Sequence, residues 1–158
     1  QRFDPAPKAA LPWTSREYPV APAAATTDPA PDLLMLSSEP VAGERIVKAQ
    51  LRSPRGADSI ELLVPIARLT SVAVAGQALP INPADAGNGY YNLECYGHAY
   101  DRLEVTLRFK DAEPVEVLIV DFSPGLPPGG EDLGRVRSAT AVPAYDGDLT
   151  MIARRVRL

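Results

Sequence analysis

Apolar and polar residues alternate with a period of two over much of the chain after residue 31. The clearest case is the segment 102–110, in which Leu103, Val105, Leu107 and Phe109 are separated by charged residues and a threonine. Successive side chains of a strand point to opposite faces, so the pattern predicts a strand with one buried face. A turn over 111–114 leads to the segment 115–121, whose continuous apolar half predicts burial on both faces. We expect these two strands to pair as a hairpin.

Further short runs rich in β-branched and aromatic residues are separated by proline and glycine; they cover residues 33–38, 45–52, 59–64, 71–75, 90–96 and 149–158. About eight strands at turn spacings of roughly ten residues predict an all-β fold, an antiparallel β-sandwich. An open sheet with one short helix in 78–87 is the alternative. No run approaches the roughly 20 apolar residues that a membrane-spanning helix needs.

Residues 1–31 differ in composition from the rest, with 7 of the 17 prolines and eight alanines. Proline removes backbone donors and interrupts helices, so the sequence predicts a Pro/Ala-rich linker or extended arm at 1–31, before a β-sandwich domain at 32–158. Trp13, Tyr18 and Val20 are bulky for a free linker. The segment 13–20 therefore either lies against the domain or belongs to a mobile tether.

Charge and composition exclude several classes of function. The net charge is −4, and 3 lysines against 13 arginines give no broad basic face for nucleic acid. One cysteine, Cys95, and one histidine, His98, exclude an internal disulfide framework and most metal-hydrolase sites. We therefore predict no catalytic, cofactor-binding or metal-ligating residue in this chain.

A hydrolase built on Cys95 and His98 remains an alternative, because the two residues are close in sequence. A cysteine nucleophile needs a base within hydrogen-bond reach and a third group that orients the base. We expect Cys95 to be a small apolar filler of a strand, and His98 to be a turn residue. Asp121 ends an apolar strand, and we expect it to cap the following loop through backbone amides.

The segment 123–143 is a long loop rich in proline and glycine. Loops of this length without secondary structure are uncommon in compact domains and are usually functional or disordered. It is our first candidate contact surface, and its apolar and turn residues are Phe122, Pro124, Leu126 and Leu133.

The second candidate surface is aromatic and consists of Tyr90, Tyr91 and Tyr96. In a strand the even spacing of Tyr90 and Tyr96 places them on one face, and Tyr91 points to the other. A tyrosine platform of this kind is suited to a glycan or a peptide.

The order of several short motifs resembles the C-terminal non-catalytic region of bacterial membrane-anchored zinc exopeptidases of the aminopeptidase S and aminopeptidase Y type. The resemblance covers about residues 30–158, and its motifs are Leu-Arg-Ser-Pro-Arg-Gly-Ala at 51–57, Val-Ala-Val-Ala-Gly-Gln at 72–77, Tyr-Gly at 96–97 leading into Leu-Glu-Val-Thr-Leu at 103–107, Asp-Phe-Ser-Pro-Gly-Leu-Pro at 121–127 and Asp-Leu-Thr-Met-Ile-Ala-Arg-Arg at 148–155.

The resemblance implies a β-rich accessory domain on the periplasmic side of the membrane, tethered through a parent chain that also holds a zinc peptidase domain and membrane helices. The zinc ligands of that family have no counterpart here, so zinc is expected only in the parent's catalytic domain. The implied partners are the catalytic and membrane domains of the same chain, or further copies of it in a homo-oligomer. The implied function is to serve substrate access, domain packing or assembly.

Overall fold

A computed structural model describes residues 7–14, 16–20, 26–82, 88–135 and 147–158. Their fold is all-β, with three antiparallel sheets. The strands are β1 (Lys8–Ala10), β2 (Glu17–Pro19), β3 (Asp32–Val41), β4 (Glu44–Arg52), β5 (Ser59–Pro65), β6 (Leu69–Val74), β7 (Gln77–Leu79), β8 (Tyr90–Tyr96), β9 (Glu104–Phe109), β10 (Glu116–Pro124) and β11 (Leu149–Arg157). Helical turns are confined to α1 (Glu131–Arg135) and the 3₁₀ segments Ile66–Arg68 and His98–Tyr100 in the described ranges.

The two larger sheets form a β-sandwich, as the sequence predicted. One sheet has the strand order β3-β4-β9-β6-β7, and the other has the order β11-β10-β5-β8. A single apolar core contains fully buried side chains from both sheets, including Val47 and Leu107 from the first and Leu62 and Ile119 from the second. Removing these aliphatic groups from water is the main favourable term that holds the sheets together.

The period-two pattern is confirmed where it was clearest. In β9 the side chains of Val105, Leu107 and Phe109 are fully buried, and the residues between them are at least partly exposed to water. The central strand β10 is buried on both faces, since Val117 and Ile119 belong to the main core while Leu118 belongs to a second cluster.

The predicted hairpin between these two strands is wrong. β9 pairs with β4 and β6, whereas β10 pairs with β5 and β11 in the other sheet. The segment between them crosses from one sheet to the other. Alternation shows which face of a strand is buried, but it does not show which strand lies beside it.

Eleven strands are described where about eight were expected. The eight predicted runs correspond to the eight long strands, and the three additional strands are β1, β2 and β7, each of three residues. The alternative helix in 78–87 overlaps the last two residues of β7 at its start, and residues 83–87 lie outside the described part.

The described part of the arm forms a small hairpin, in which Lys8 to Ala10 pair with Glu17 to Pro19. Trp13, at its tip, packs against a second apolar cluster made of Leu63, Leu118 and Val120. These three side chains lie on the face of the four-stranded sheet that points away from the main core, and we call them the outer cluster. Trp13 thus lies against the sandwich, while β1 is exposed.

Candidate functional site

The three tyrosines of the candidate aromatic surface divide between the two faces of β8 as the even and odd spacing predicts. Tyr91 packs against the main core, and burial raises the pKa of its hydroxyl. Tyr90 packs against the outer cluster. Tyr96 is 75% exposed. Only Tyr96 of the three therefore presents most of its ring to water.

Tyr96 belongs to a row of side chains that crosses all four strands of the outer face. Met151 lies opposite Phe122, Phe122 lies opposite Ser59, and Ser59 lies opposite Tyr96. Residues directly opposite each other in antiparallel strands project from the same face. Met151 is 38% exposed and Phe122 is half-buried. We call these four residues the aromatic row. It brings Phe122, the start of the candidate contact loop, onto the same face as Tyr96.

Hydrogen bonds along β8 hold the Tyr96 side chain in position. Its hydroxyl donates to Glu94 Oε2 at 2.6 Å, and the Asn92 amide donates to Glu94 Oε1 at 2.9 Å. All three side chains are on the outer face, because they are two residues apart in one strand. The result is an exposed aromatic ring that is fixed beside a carboxylate.

Glu94 lies directly opposite Glu61 of β5. Partial burial of the Glu61 carboxyl, followed by the charge of Glu94, raises the pKa of Glu61 to about 7, and the Asn92 amide acts in the opposite direction. The sequence analysis missed this pair. The available signal was one glutamate in the otherwise apolar run of β5, but its position beside Glu94 depends on a pairing that the sequence does not show.

The candidate contact loop is anchored near its start, where Gly125 is hydrogen-bonded to the segment that leads into β11. Gly125 N–H donates to the Asp148 carbonyl at 2.7 Å, and the Thr150 hydroxyl donates to the Gly125 carbonyl at 2.9 Å. Pro124 is exposed as the last residue of β10, and Leu126 is half-buried. Leu133 falls in α1, but its side chain and residues 136–143 of the loop lie outside the described part.

Asp121 does not cap the long loop, so that expectation is wrong. Its fully buried carboxylate accepts a 2.6 Å hydrogen bond from Ser53 Oγ and a 2.9 Å hydrogen bond from Arg55 Nε. Ser53 Oγ in turn accepts from Ala57 N–H at 3.1 Å, and the buried Tyr100 hydroxyl donates to the Ala57 carbonyl. The network orders the connection between β4 and β5. The expectation failed because these partners are distant in sequence.

Cys95 and His98 have different environments. Cys95 lies on the inner face of β8 against the main core, and partial burial raises the pKa of its thiol. His98 is exposed and begins a 3₁₀ turn whose last residue, Tyr100, is buried. A raised pKa reduces the thiolate population, which is the opposite of what a cysteine nucleophile requires.

A shallow pocket of about 220 Å³ lies at one end of the sandwich and is lined by Arg52, Ser53, Pro54, Asp101 and Arg102. Its two arginines and one aspartate are on the surface, and Arg102 lies 3.9 Å from Asp101. Ser53 is already engaged with Asp121. The pocket presents no side chain arrangement specific to one ligand.

Among the described residues, no three histidine, cysteine, aspartate or glutamate side chains lie together as a metal site would require. Over the same ranges, no helix has the length and apolar character needed to span a membrane. Comparison with family models, curated proteins and solved structures gives no match for this chain.

Proposed function

We propose that this chain is a non-catalytic accessory domain that acts through the outer face of its four-stranded sheet. In this proposal the domain is part of a longer protein of the kind that its motif order resembles, a membrane-anchored zinc exopeptidase with its soluble domains outside the cytoplasm. The accessory domain serves substrate access, domain packing or assembly, and its partners are the catalytic and membrane domains of that chain, or a second copy of it.

The observation that supports this proposal is the aromatic row. Members of two surfaces chosen independently from the sequence, Phe122 at the start of the contact loop and Tyr96 of β8, lie on one face of one sheet, on either side of Ser59. A sheet face with exposed aromatic and methionine side chains has the composition of protein interfaces, which are enriched in these residues. The centre of the five-stranded sheet's outer face is different, with the polar residues Lys48, Thr106 and Arg108, although its edge strand β3 also exposes apolar side chains such as Leu34 and Met35.

A photo-cross-linking experiment tests the proposal in the longer protein. Benzoylphenylalanine is placed at position 96, and in a matched control at position 106 on the outer face of the other sheet. We expect cross-links from position 96 to peptides of the catalytic domain or of a second copy, and none from position 106. Equal yields from the two positions would contradict the proposal.

Deletion of residues 124–134 is a second test. Because no described residue of this segment belongs to either apolar cluster, we expect the domain to fold while peptide turnover or assembly of the longer protein changes. Unchanged kinetics and an unchanged oligomeric state would count against a role for the loop.

A stand-alone glycan-binding or peptide-binding module is the second candidate function. It is favoured by the exposed, hydrogen-bonded ring of Tyr96, since a fixed aromatic face with a neighbouring carboxylate and amide suits either ligand. A glycan array probed with the chain and with its Tyr96→Ala variant tests the sugar form. Tyr90→Ala serves as the control, because Tyr90 packs against the outer cluster.

A further inference from the structure

The outer face carries two neighbouring glutamates, and no described basic residue of that face lies on the same strands or next to them. Glu61 and Glu94 are directly opposite each other on neighbouring strands, and like charges in such positions repel. The basic residues on the same face in the described ranges are Arg155 and Arg157, and both lie on β11, beyond β10 from Glu61. Arg155 is already paired with Glu116. A positive charge from outside the domain would therefore be attracted to the side of the face formed by β5 and β8.

Tyr96 lies next to this carboxylate pair. Its hydroxyl is bonded to Glu94, and most of its ring is exposed. A cationic group is attracted to the face of a tyrosine ring, and a carboxylate within reach adds to the attraction. Phe122 and Met151 extend the same row with partly exposed apolar side chains. The row therefore offers a cation site at one end and apolar contacts along the rest.

The remaining part of the face already holds a turn of this chain. The β1–β2 hairpin is seated there through Trp13, whose carbonyl accepts a 2.6 Å hydrogen bond from the Asn88 amide. The aromatic row is continuous with that contact, because Phe122 packs against the same outer cluster. β8 is an edge strand of the described sheet with β5 beside it, and an edge strand is where an extended peptide can add by backbone pairing.

Taking the proposed function as its basis, we propose that the aromatic row binds an extended polypeptide segment that carries a lysine or arginine side chain. The cation lies on the Tyr96 ring beside Glu94 and Glu61, and apolar side chains of the segment contact Phe122 and Met151. Charge complementarity selects the cation, and the Trp13 turn, which packs on the same face, supports a polypeptide as the occupant.

The test compares two fluorescein-labelled peptides of about twelve residues, both alternating serine and leucine. One has a central lysine, and the other has norleucine, which is neutral and similar in shape, at that position. Binding to the full chain is measured by fluorescence anisotropy at pH 8. We expect the lysine peptide to bind about fivefold more tightly, and we expect Glu94→Gln and Tyr96→Ala to abolish the preference. Glu104→Gln, on the outer face of the other sheet, should retain it.

Equal affinities for the two peptides would overturn the inference, and so would binding by neither. A Tyr96-dependent glycan signal without peptide binding would assign the row to sugars and overturn it as well. If Glu94→Gln unfolds the domain, Glu61→Gln and Tyr96→Phe are used in its place. An unchanged preference for the lysine peptide in both of these variants would overturn the inference. Cross-links from position 96 together with equal peptide affinities would leave the proposed function standing and reject the cationic partner alone.

Discussion

The carboxylate of Asp121 in β10 accepts a 2.6 Å hydrogen bond from Ser53, the residue that follows β4 in the opposite sheet. The side chain of Arg55 is 12% exposed and lies 2.8 Å from the same carboxylate. A polar link of this kind across the end of a sandwich stabilises the fold only while all of its members are present, because each would otherwise be buried without a partner.

We expect Asp121→Asn to lower the free energy of unfolding by about 3–5 kcal/mol, since it leaves the Arg55 guanidinium without its counter-ion. Urea unfolding at pH 7 measures the change. Asp32→Asn is the control, because the Asp32–Arg154 pair at 3.1 Å is exposed, and it should cost less than about 1 kcal/mol. Similar decreases in the free energy of unfolding of the two variants would contradict a larger contribution from the buried Asp121 carboxylate.

Trp13→Ala should lower the free energy of unfolding by about 1–3 kcal/mol, because it uncovers the outer cluster while removing a half-buried ring. Circular dichroism in urea measures the effect. Tyr18 belongs to the same hairpin and is 38% exposed, so Tyr18→Ala should change the free energy by less than about 0.5 kcal/mol. If Trp13→Ala were as stable as the unsubstituted chain, the contact of Trp13 with the outer cluster would contribute nothing to stability.

Glu61 predicts a pH dependence of stability. Its pKa is about 7 in the folded chain against an ordinary value of 4.5, so the folded state holds a proton that the unfolded state has released in this interval. The free energy of unfolding therefore falls as the pH rises from about 4.5 to about 7. Glu61→Gln should remove this fall and stabilise the chain by about 1–2 kcal/mol at pH 8, allowing for screening by solvent.

Unfolding curves of the Glu61→Gln variant at pH 5 and pH 8 measure this effect. Glu104→Gln is the control, because Glu104 is exposed on the outer face of the five-stranded sheet, and it should leave the dependence unchanged. If the free energy of unfolding of Glu61→Gln fell with pH as much as that of the unsubstituted chain, another group would be responsible for the dependence.

Cys95 should react slowly with a disulfide reagent in the folded chain. Burial protects the thiol and raises its pKa, so we expect labelling by dithionitrobenzoate at pH 8 to be at least about tenfold slower than in urea. The absorbance of the released thiolate measures the rate. Rapid labelling of the native chain would support the hydrolase alternative instead.

Much of the fold was predictable because the long strands carry their own signal. The alternation in β9 and the apolar centre of β10 specified strand type and burial without any knowledge of their neighbours. The pairing of these strands was not predictable from the same pattern. Strands of three residues, such as β1 and β2, are too short to show a period, and the proline-rich composition around them favoured a linker.

For the candidate site too, the direction of each side chain was predictable from the sequence, whereas the neighbouring strands were not. The spacing of Tyr90, Tyr91 and Tyr96 predicted correctly which face of β8 each would occupy. The position of Phe122 beside Ser59, and the position of Glu61 beside Glu94, follow from strand neighbours that are distant in sequence. Side-chain direction is a local property of a strand, whereas a binding surface is assembled from several strands.

The chain passes back and forth between the two large sheets, and this order affects how the domain folds. From β3 to β11 the backbone changes sheets five times, at β4–β5, β5–β6, β7–β8, β8–β9 and β9–β10. Neither sheet can be completed from one continuous stretch, and β10 pairs with β11, the last strand described. The aromatic row, whose members come from β5, β8, β10 and β11, therefore exists only after β11 has been synthesised and the domain has folded as one slow, cooperative unit.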